Sequence, residues 1–422
     1  MADVSLTLDN FKSFDAATIP IPRFAVLVGP NAAGKSNVIE AMRFLRDLAV
    51  HGLLDAVSLQ GGGDYMRNLT TDRERSVRLL VRITPDQKDL ESEQAIVRID
   101  RRQSALKASE EYEIALRFNL TVPGFRVVKE RYRQELAVFD LTAPARAESA
   151  ARVFFEISST NGRVSVEKNL DAPSGPIAQE ELFIVPPTIL RRRIPLNISF
   201  FSSVLVRQPA FGFNRPFEGI GLYNFDSRLA KRAARLAASA TLDEDGGNLA
   251  SILRSILQRP KVRTEFTRLV ANLLPFAGRI SVENIVDKSL LFRMEDRALG
   301  GRPLPATLLS DGTVACTALV AALYFQDSEL TAIEEPERSV HPKLIARLVE
   351  MLRDASETRS VLVTTHSPDV VKHAGINQLL LINRDATGTS RVMRAEDNST
   401  VKSFLSDEVG LDDLFVQGLL QP

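Results

Sequence analysis

One cysteine, Cys316, among 422 residues rules out an intrachain disulfide, and a reducing compartment is the natural expectation. Four histidines beside that cysteine leave too little for a Cys/His zinc site. Neither sign of charge is in excess, since 53 Lys and Arg face 53 Asp and Glu. No global field steers the chain to nucleic acid or membrane, so any such surface has to be local. Long apolar runs are missing too. The longest mostly apolar run, Val314 to Phe325, falls short of the roughly 20 residues a membrane-spanning helix needs. The opening Met1-Ala2-Asp3-Val4 lacks a basic segment followed by an apolar core, so no secretory signal is read. The expectation is a cytoplasmic chain with no membrane contact. Internal repeats and low-complexity tracts are not seen. What is present is ordinary for a soluble globular protein, 44% hydrophobic and 25% charged. The length suggests about two or three modules, or one large domain with insertions.

The most informative stretch is Gly29-Pro30-Asn31-Ala32-Ala33-Gly34-Lys35-Ser36-Asn37, a G-x-x-x-x-G-K-S phosphate-cradling loop. Phe24 to Val28 before it is an apolar run of strand length. After it Val38, Ile39, Ala41, Met42, Leu45 and Leu48 recur at helical spacing. The loop therefore joins a buried strand to a helix. Gly29 and Gly34 are expected to permit backbone torsions that aim successive N–H groups at an anion. The helix N-terminus adds the positive end of its dipole. Lys35 would neutralise phosphate charge, and the Ser36 hydroxyl can take a Mg²⁺ position.

In chain order, Val4, Leu6 and Leu8 alternate with polar residues as in a half-buried strand, and a second strand leads to Pro20 and Pro22. Residues 51–75 read as irregular, broken by Gly61-Gly62-Gly63. Residues 76–190 read as strand-rich, with runs at 77–83, 112–118 and 153–157. Turns are expected at Pro123-Gly124, Asn161-Gly162 and Ser174-Gly175-Pro176, the second a good hairpin candidate. The character changes near Pro209. Residues 226–275 read as helices, capped by Asp226 or Ser227 and by Asn248, with Pro260 opening a third. Basic residues outnumber acidic ones there. Arg228, Lys231, Arg232 and Arg235 fall at i, i+3, i+4, i+7, so they are expected to share one face of a helix. That face suits either solvent, opposite Leu229, Ala233 and Leu236, or the phosphate backbone of a nucleic acid.

From Leu304 strands and helices alternate, which argues a parallel sheet with helices on its faces. A strand-like end at Thr307-Leu308-Leu309 meets Ser310-Asp311-Gly312, a hydroxyl, backbone nest and helix start that form a second anion cradle. A buried strand at 330–333 ends in Glu334-Glu335, and another at 361–363 leads to Thr364-Thr365-His366-Ser367-Pro368. Carboxylates at the C-terminal edge of such a sheet lie where α/β folds bind ligands. One can hold Mg²⁺ while the other orients or deprotonates water. His366 can hydrogen-bond a γ-phosphate or that water; its alternative is to cap the helix at Pro368, for which Ser367 is the better residue.

The order of phosphate loop, Leu-Ser-Asp-Gly, Ile-Glu-Glu-Pro-Glu-x-x-x-His-Pro and Thr-Thr-His-Ser-Pro resembles the ABC-type ATPase heads, and among them the RecF, SMC and OLD-like AAA ATPases. Leu8-Asp9-Asn10-Phe11-Lys12-Ser13-Phe14 and Gly247-Asn248-Leu249-Ala250 are similar to the same branch. The resemblance covers residues 1 to about 60 and about 245 to 375 well, and the strand-rich stretch only loosely.

The resemblance implies an α/β, ABC-ATPase-like P-loop fold with a strand-rich insertion and a helical subdomain. The divisions expected are residues 1–75 (first half of the ATPase core), 76–190 (insertion), 191–300 (helical, basic) and 301–422 (second half). It implies ATP and Mg²⁺ as ligands of Gly29, Asn31, Ala32, Ala33, Gly34, Lys35, Ser36 and Asn37, with Glu334 supporting the metal. Glu335 would polarise water and His366 would sense the γ-phosphate. Ser310, Asp311 and Gly312 would contact that phosphate from a second subunit, in a homodimer or higher homo-oligomer. Gln60 is the candidate Q-loop residue, although its neighbourhood fits poorly. Asp311, Thr313 and Glu334 depart from the transporter-type pattern and favour the OLD-like branch. Some OLD-like chains continue into a nuclease domain, for which too little sequence follows His366 here. The expected function is an ATP-hydrolysing switch in DNA maintenance or anti-phage defence, working with a separate effector. Alternatives are a nucleotide-gated DNA- or protein-binding module with incidental hydrolysis and, ranked below it, a transporter ATPase subunit.

Overall fold

A computed structural model describes residues 3–72, 74–84, 96–98, 103–118, 124–140, 151–169, 171–172, 175–176, 193–200, 217–235, 241–285, 288–399, 401 and 410–418. Pro123, Ser174 and Pro209, each tied above to a turn or a change of character, lie outside the described residues. The chain runs β1 (Asp3–Phe11), β2 (Phe14–Ile21), β3 (Phe24–Val28), α1 (Lys35–Val50), α2 (Leu53–Leu59) and α3 (Gly63–Met66). Strands β4 (Val77–Thr84), β5 (Ile96–Arg98), β6 (Gln103–Phe118), β7 (Phe125–Asp140), β8 (Ala151–Thr160), β9 (Arg163–Asn169), β10 (Asp171–Ala172) and β11 (Gly175–Pro176) follow. Next come β12 (Ile220–Tyr223), α4 (Ser227–Ala230), β13 (Ala234–Arg235), α5 (Leu249–Gln258), α6 (Pro260–Leu273), β14 (Ala277–Asn284), β15 (Ser289–Asp296) and β16 (Arg302–Pro305). The remainder is α7 (Asp311–Phe325), β17 (Leu330–Glu334), α8 (Ile345–Ala355), β18 (Ser360–Thr365), α9 (Pro368–Ala374), β19 (Leu379–Arg384), β20 (Ser390–Arg394) and α10 (Leu411–Val416).

Two compact units share these elements. The first holds residues 1–22, 37–219 and 383–392, the second residues 23–36, 220–382 and 393–422. The second unit is α/β, as the alternation of strand and helix predicts. Its strands run in the order β12-β17-β18-β3-β19, all parallel. Strands β3 and β18 are buried along their whole length. Such strands show continuous apolar runs rather than alternation, because helices cover both faces of a parallel sheet. Helix α7 is apolar all round and is buried from Val314 to Leu323 except at Ala315, with Cys316 inside it. An all-round apolar helix of this length sits in a core, not at a surface.

The helical expectation for 191–300 is corrected in part. Helices α5 and α6 stand where their apolar stripes and Pro260 put them, but β14, β15 and β16 form an antiparallel sheet with β13. Leu290, Phe292 and Met294 are buried and their neighbours are not, a period of two that only a strand produces. Asp226 caps α4 with its side chain, whereas Asn248 precedes α5 without a side-chain cap and instead bonds Thr241 and Asp243. Thr307-Leu308-Leu309 is not a strand end. Residues Ala306–Leu308 make a 3-10 turn after β16.

The first unit is an antiparallel sheet of order β2-β1-β4-β6-β7-β8-β9, with β5 paired to β6. The strand runs at 77–83, 112–118 and 153–157 all fall within it. Asn161 (φ 48) and Gly162 (φ 79) turn β8 into β9, the two positive φ values of a type I′ hairpin. Residues 51–75, expected irregular, contain α2 and α3, which bury Leu53, Ala56, Val57 and Met66. Helices of seven and four residues are too short to show a 3.6-residue period in sequence. Among the described residues no helix is long and apolar enough to cross a membrane.

A side chain at Gly162 would need a left-handed backbone and would bring its Cβ to 2.4 Å from the Ile194 carbonyl oxygen. Gly162→Ala should therefore destabilise this unit by about 1–3 kcal/mol. The midpoint of urea unfolding checks the value, and an unchanged midpoint would contradict the packing at this turn.

Candidate functional site

The site lies at the C-terminal edge of the parallel sheet, in the second unit. Val28 pairs with Thr365 and Glu334 with Thr364. The phosphate loop, the acidic pair and His366 therefore leave neighbouring strands at one level. The Ser36 hydroxyl donates to Glu334 Oε2 at 3.0 Å. One hydroxyl and one carboxylate so close suit a hard cation such as Mg²⁺, which keeps most of its shell for water and phosphate oxygens. Among the described residues no group of three or more His, Cys, Asp or Glu is placed to cage a metal.

Glycine serves the loop in two ways, and one differs from expectation. Gly34 has φ 112, and Ala32 takes a second left-handed position at φ 62. Gly29 is not left-handed. It is needed because a Cβ there would lie 2.0 Å from the Ile382 carbonyl oxygen. Asn31 and Ala32 are exposed, Ala33 is buried, and the Ala33 N–H bonds the Pro30 carbonyl at 3.3 Å. Lys35 is buried, with Nζ donating to the carbonyls of Gly29 (2.7 Å) and Pro30 (3.0 Å). Burial lowers its pKa, and Glu335, Glu337 and Glu334 oppose that shift. One ammonium among three carboxylates favours a cation arriving together with any polyphosphate. The Asn37 amide donates to Ser13 Oγ at 2.7 Å within the first unit.

Glu335 adopts φ 45, a left-handed backbone rare outside glycine and asparagine. Its Oε1 lies 2.8 Å from His366 Nδ1, so imidazole and carboxylate form a pair. Ser367 precedes α9 as its cap residue without a side-chain cap bond. Its N–H bonds Thr365 Oγ1 at 2.9 Å. Thr365 Oγ1 in turn donates to Glu337 Oε1 at 2.5 Å. Sequence reasoning quoted Glu337 only as part of a motif and gave it no role. Its carboxyl pKa is raised, chiefly by burial.

Ser310 caps α7, its Oγ accepting from the Thr313 N–H at 3.1 Å. Gly312 has a packing reason of its own, since a Cβ would meet the Ser339 carbonyl oxygen at 2.3 Å. Asp311 pairs with Lys231 at 2.5 Å. That bond holds its carboxyl below the usual carboxylate range. The basic strip is thereby corrected. Arg228, Lys231, Arg232 and Arg235 do not share a helix, because α4 ends at Ala230 and Arg235 lies in β13. Lys231 neutralises Asp311, and Arg228 lines a cavity of about 460 Å³ with Asn224, Ser227, Asp311 and Arg338. A larger groove of about 630 Å³, between Arg268, Tyr324, Arg347 and Asp354, shares no residue with the site. Gln60 is buried in the first unit, with Nε2 on the carbonyl and the carboxylate of Glu40.

A family model described as "AAA domain, putative AbiEii toxin, Type IV TA system" matches residues 24–94 and 193–372, more than half of the chain. The Septu protein PtuA of Bacillus thuringiensis is 30% identical over 95 residues, 21% of this chain and 24% of that protein. The match thus spans about a quarter of the relative's length. Among solved structures, an SMC head bound to the C-winged helix domain of ScpA aligns at TM-score 0.45 and 14% identity, over 92% of this chain and 96% of that one. An Smc head with an extended coiled coil bound to the C-terminal domain of ScpA, derived from Pyrococcus furiosus, aligns at TM-score 0.46 and 13% identity, over 97% and 100%.

The Lys231 bond to Asp311 has a pH signature. A carboxylate whose pKa is depressed keeps its pair above that value and loses it as pH falls through it. Lys231→Ala should move the Asp311 midpoint up toward the ordinary carboxylate range, read by carboxylate NMR titration. An unmoved midpoint would mean that another group holds the acid.

Proposed function

Since the chain belongs to the AAA-domain family described by that match, we propose that it is an ATP-hydrolysing switch whose catalytic edge is the one built on β3, β17 and β18. The observation carrying this is the convergence of Ser36 with Glu334 (3.0 Å) and of Glu335 with His366 (2.8 Å) at the strand ends beside the phosphate loop. Lys35 and the loop backbone bind the phosphates, as expected from Gly29, Asn31, Ala32, Ala33 and Gly34. Asn37, bonded to Ser13, supports the loop at the start of α1. Ser36 and Glu334 would hold Mg²⁺, which when bound neutralises phosphate charge and orients the γ-phosphoryl group.

Glu335 orients the attacking water and accepts its proton, and His366 keeps that carboxylate in place and senses the γ-phosphate. Ser310, Asp311 and Gly312 at the start of α7 serve the nucleotide of a second copy, so that ATP closes a homodimer or higher homo-oligomer and hydrolysis reopens it. The driving difference is the set of γ-phosphate contacts made only when closed. With Lys231 committed to Asp311, the output is better delivered to a separate effector protein than through a basic strip on DNA. The resemblance of the motif order, together with a family description naming a toxin–antitoxin system, favours defence over genome maintenance.

Lys35→Ala should abolish ATP binding and hydrolysis, while Glu335→Gln should keep binding and lower kcat at least about 100-fold. Mass in solution with and without ATP and Mg²⁺ tests the assembly. A larger species with ATP, persisting in Glu335→Gln and lost in Ser310→Arg, is expected. Wild-type turnover in Lys35→Ala would overturn the catalytic assignment, and in Ser310→Arg the trans arrangement.

A further inference from the structure

Glu337 has no part in the proposed reaction, yet its side chain is tied into the same edge. It sits in the turn after β17, where the Glu335 carbonyl accepts from the Arg338 N–H at 2.9 Å and the Glu337 carbonyl accepts from Val340 at 2.9 Å. Both Glu335 (φ 45) and Ser339 (φ 64) are left-handed in this turn. Residues with a Cβ persist there only when their surroundings over-determine them. Two bonds tie the turn bearing Glu335 to the end of β18. The Glu335 N–H donates to the Thr364 carbonyl at 2.9 Å, and the Glu337 carboxyl, two residues on, takes the Thr365 hydroxyl at 2.5 Å. Thr365 Oγ1 also accepts the Ser367 N–H at 2.9 Å, which fixes both residues flanking His366. A single carboxyl thus joins the turn bearing Glu335 to the turn bearing His366. Its other oxygen, Oε2, is buried with no hydrogen-bond partner among the described residues, and the Thr365 bond is the one that carries the carboxyl across to β18.

We propose that Glu337 is the positioning residue of this site, clamping the turn after β17 to the end of β18 so that Glu335 and His366 keep one mutual arrangement. The inference rests on the ATPase reading for its kinetic consequence and on geometry alone for the clamp. Losing the clamp leaves the phosphate loop intact but lets the water-orienting pair wander. The loss therefore falls on the chemical step rather than on binding.

Four single variants, one double variant and a His366 assignment variant of the whole chain test this. Glu337→Ala and Thr365→Val break the bond. Glu337→Gln retains an acceptor, and Thr365→Ser retains the donor. The measurements are kcat and KM for ATP with Mg²⁺, ATP affinity, melting temperature, and the ring resonances of His366 assigned by His366→Gln. The breaking variants should lose about 10- to 100-fold in kcat with affinity within about twofold. The conserving variants should stay within about threefold of wild type, and Glu337→Ala/Thr365→Val should be no worse than the poorer single variant. His366 resonances should move in the breaking variants and return in the conserving ones. Wild-type kcat in Glu337→Ala, additive losses, or Glu337→Gln as slow as Glu337→Ala would each overturn the clamp. Should Glu337→Ala fail to fold, Thr365→Val decides alone. A wild type that binds ATP without turning it over would sink the ATPase reading only. His366 resonances unmoved by loss of the Thr365 bond would then still sink the clamp.

Discussion

The parallel register of β3, β18 and β17 is the constraint from which the rest follows. Val28 opposite Thr365 and Thr364 opposite Glu334 set three strand ends level. Side chains alternate with a period of two along a strand. A shift of one residue would turn Glu334 and Thr365 to the other face and separate Ser36 from its carboxylate. The continuous apolar character of these strands drives their burial but gives no preference for one register over another. On one face Val26, Val28, Ile333 and Val363 share a single core with α7, a wholly apolar rod.

The turn of residues 335–340 is where separate motifs become one device. It contains a strained backbone at Glu335 and shares a carboxyl with Thr365. It also presents the Ser339 carbonyl to Gly312, at a distance no methyl group would permit. The start of α7 and the turn after β17 are therefore in backbone contact without any side chain between them. Close-packed contacts of this kind are bistable rather than compliant, which suits the proposed sensing of a γ-phosphate at this edge.

Much of this edge was legible in the sequence. Strands 24–28, 330–333 and 361–363 announce themselves as apolar runs, and the loop, Glu334-Glu335 and His366 sit at their ends. Legibility failed where a pattern admitted two periods or depended on contacts across the fold. Leu290, Phe292 and Met294 carried a strand signal that the helical neighbourhood of α5 and α6 obscured. The spacing of Arg228, Lys231, Arg232 and Arg235 fits a helix face, but nothing in spacing reveals that the helix stops at Ala230 or that Asp311, 80 residues on, claims Lys231. Gly29 was read as a torsional glycine when its constraint is a neighbouring carbonyl from β19. The Glu337 bond to Thr365 exists only once two strands lie side by side, so no local rule could announce it.

The burial of Cys316 inside α7 has a practical consequence. Desolvation pushes its thiol pKa up to about 12, which disfavours the reactive thiolate at neutral pH. It is also the chain's single cysteine. Thiol reagents should therefore react slowly with the folded chain, and a cysteine placed on its surface should take a fluorophore or spin label first. Cys316 itself becomes a clock, since its modification records how often the packing around α7 opens far enough to admit a reagent.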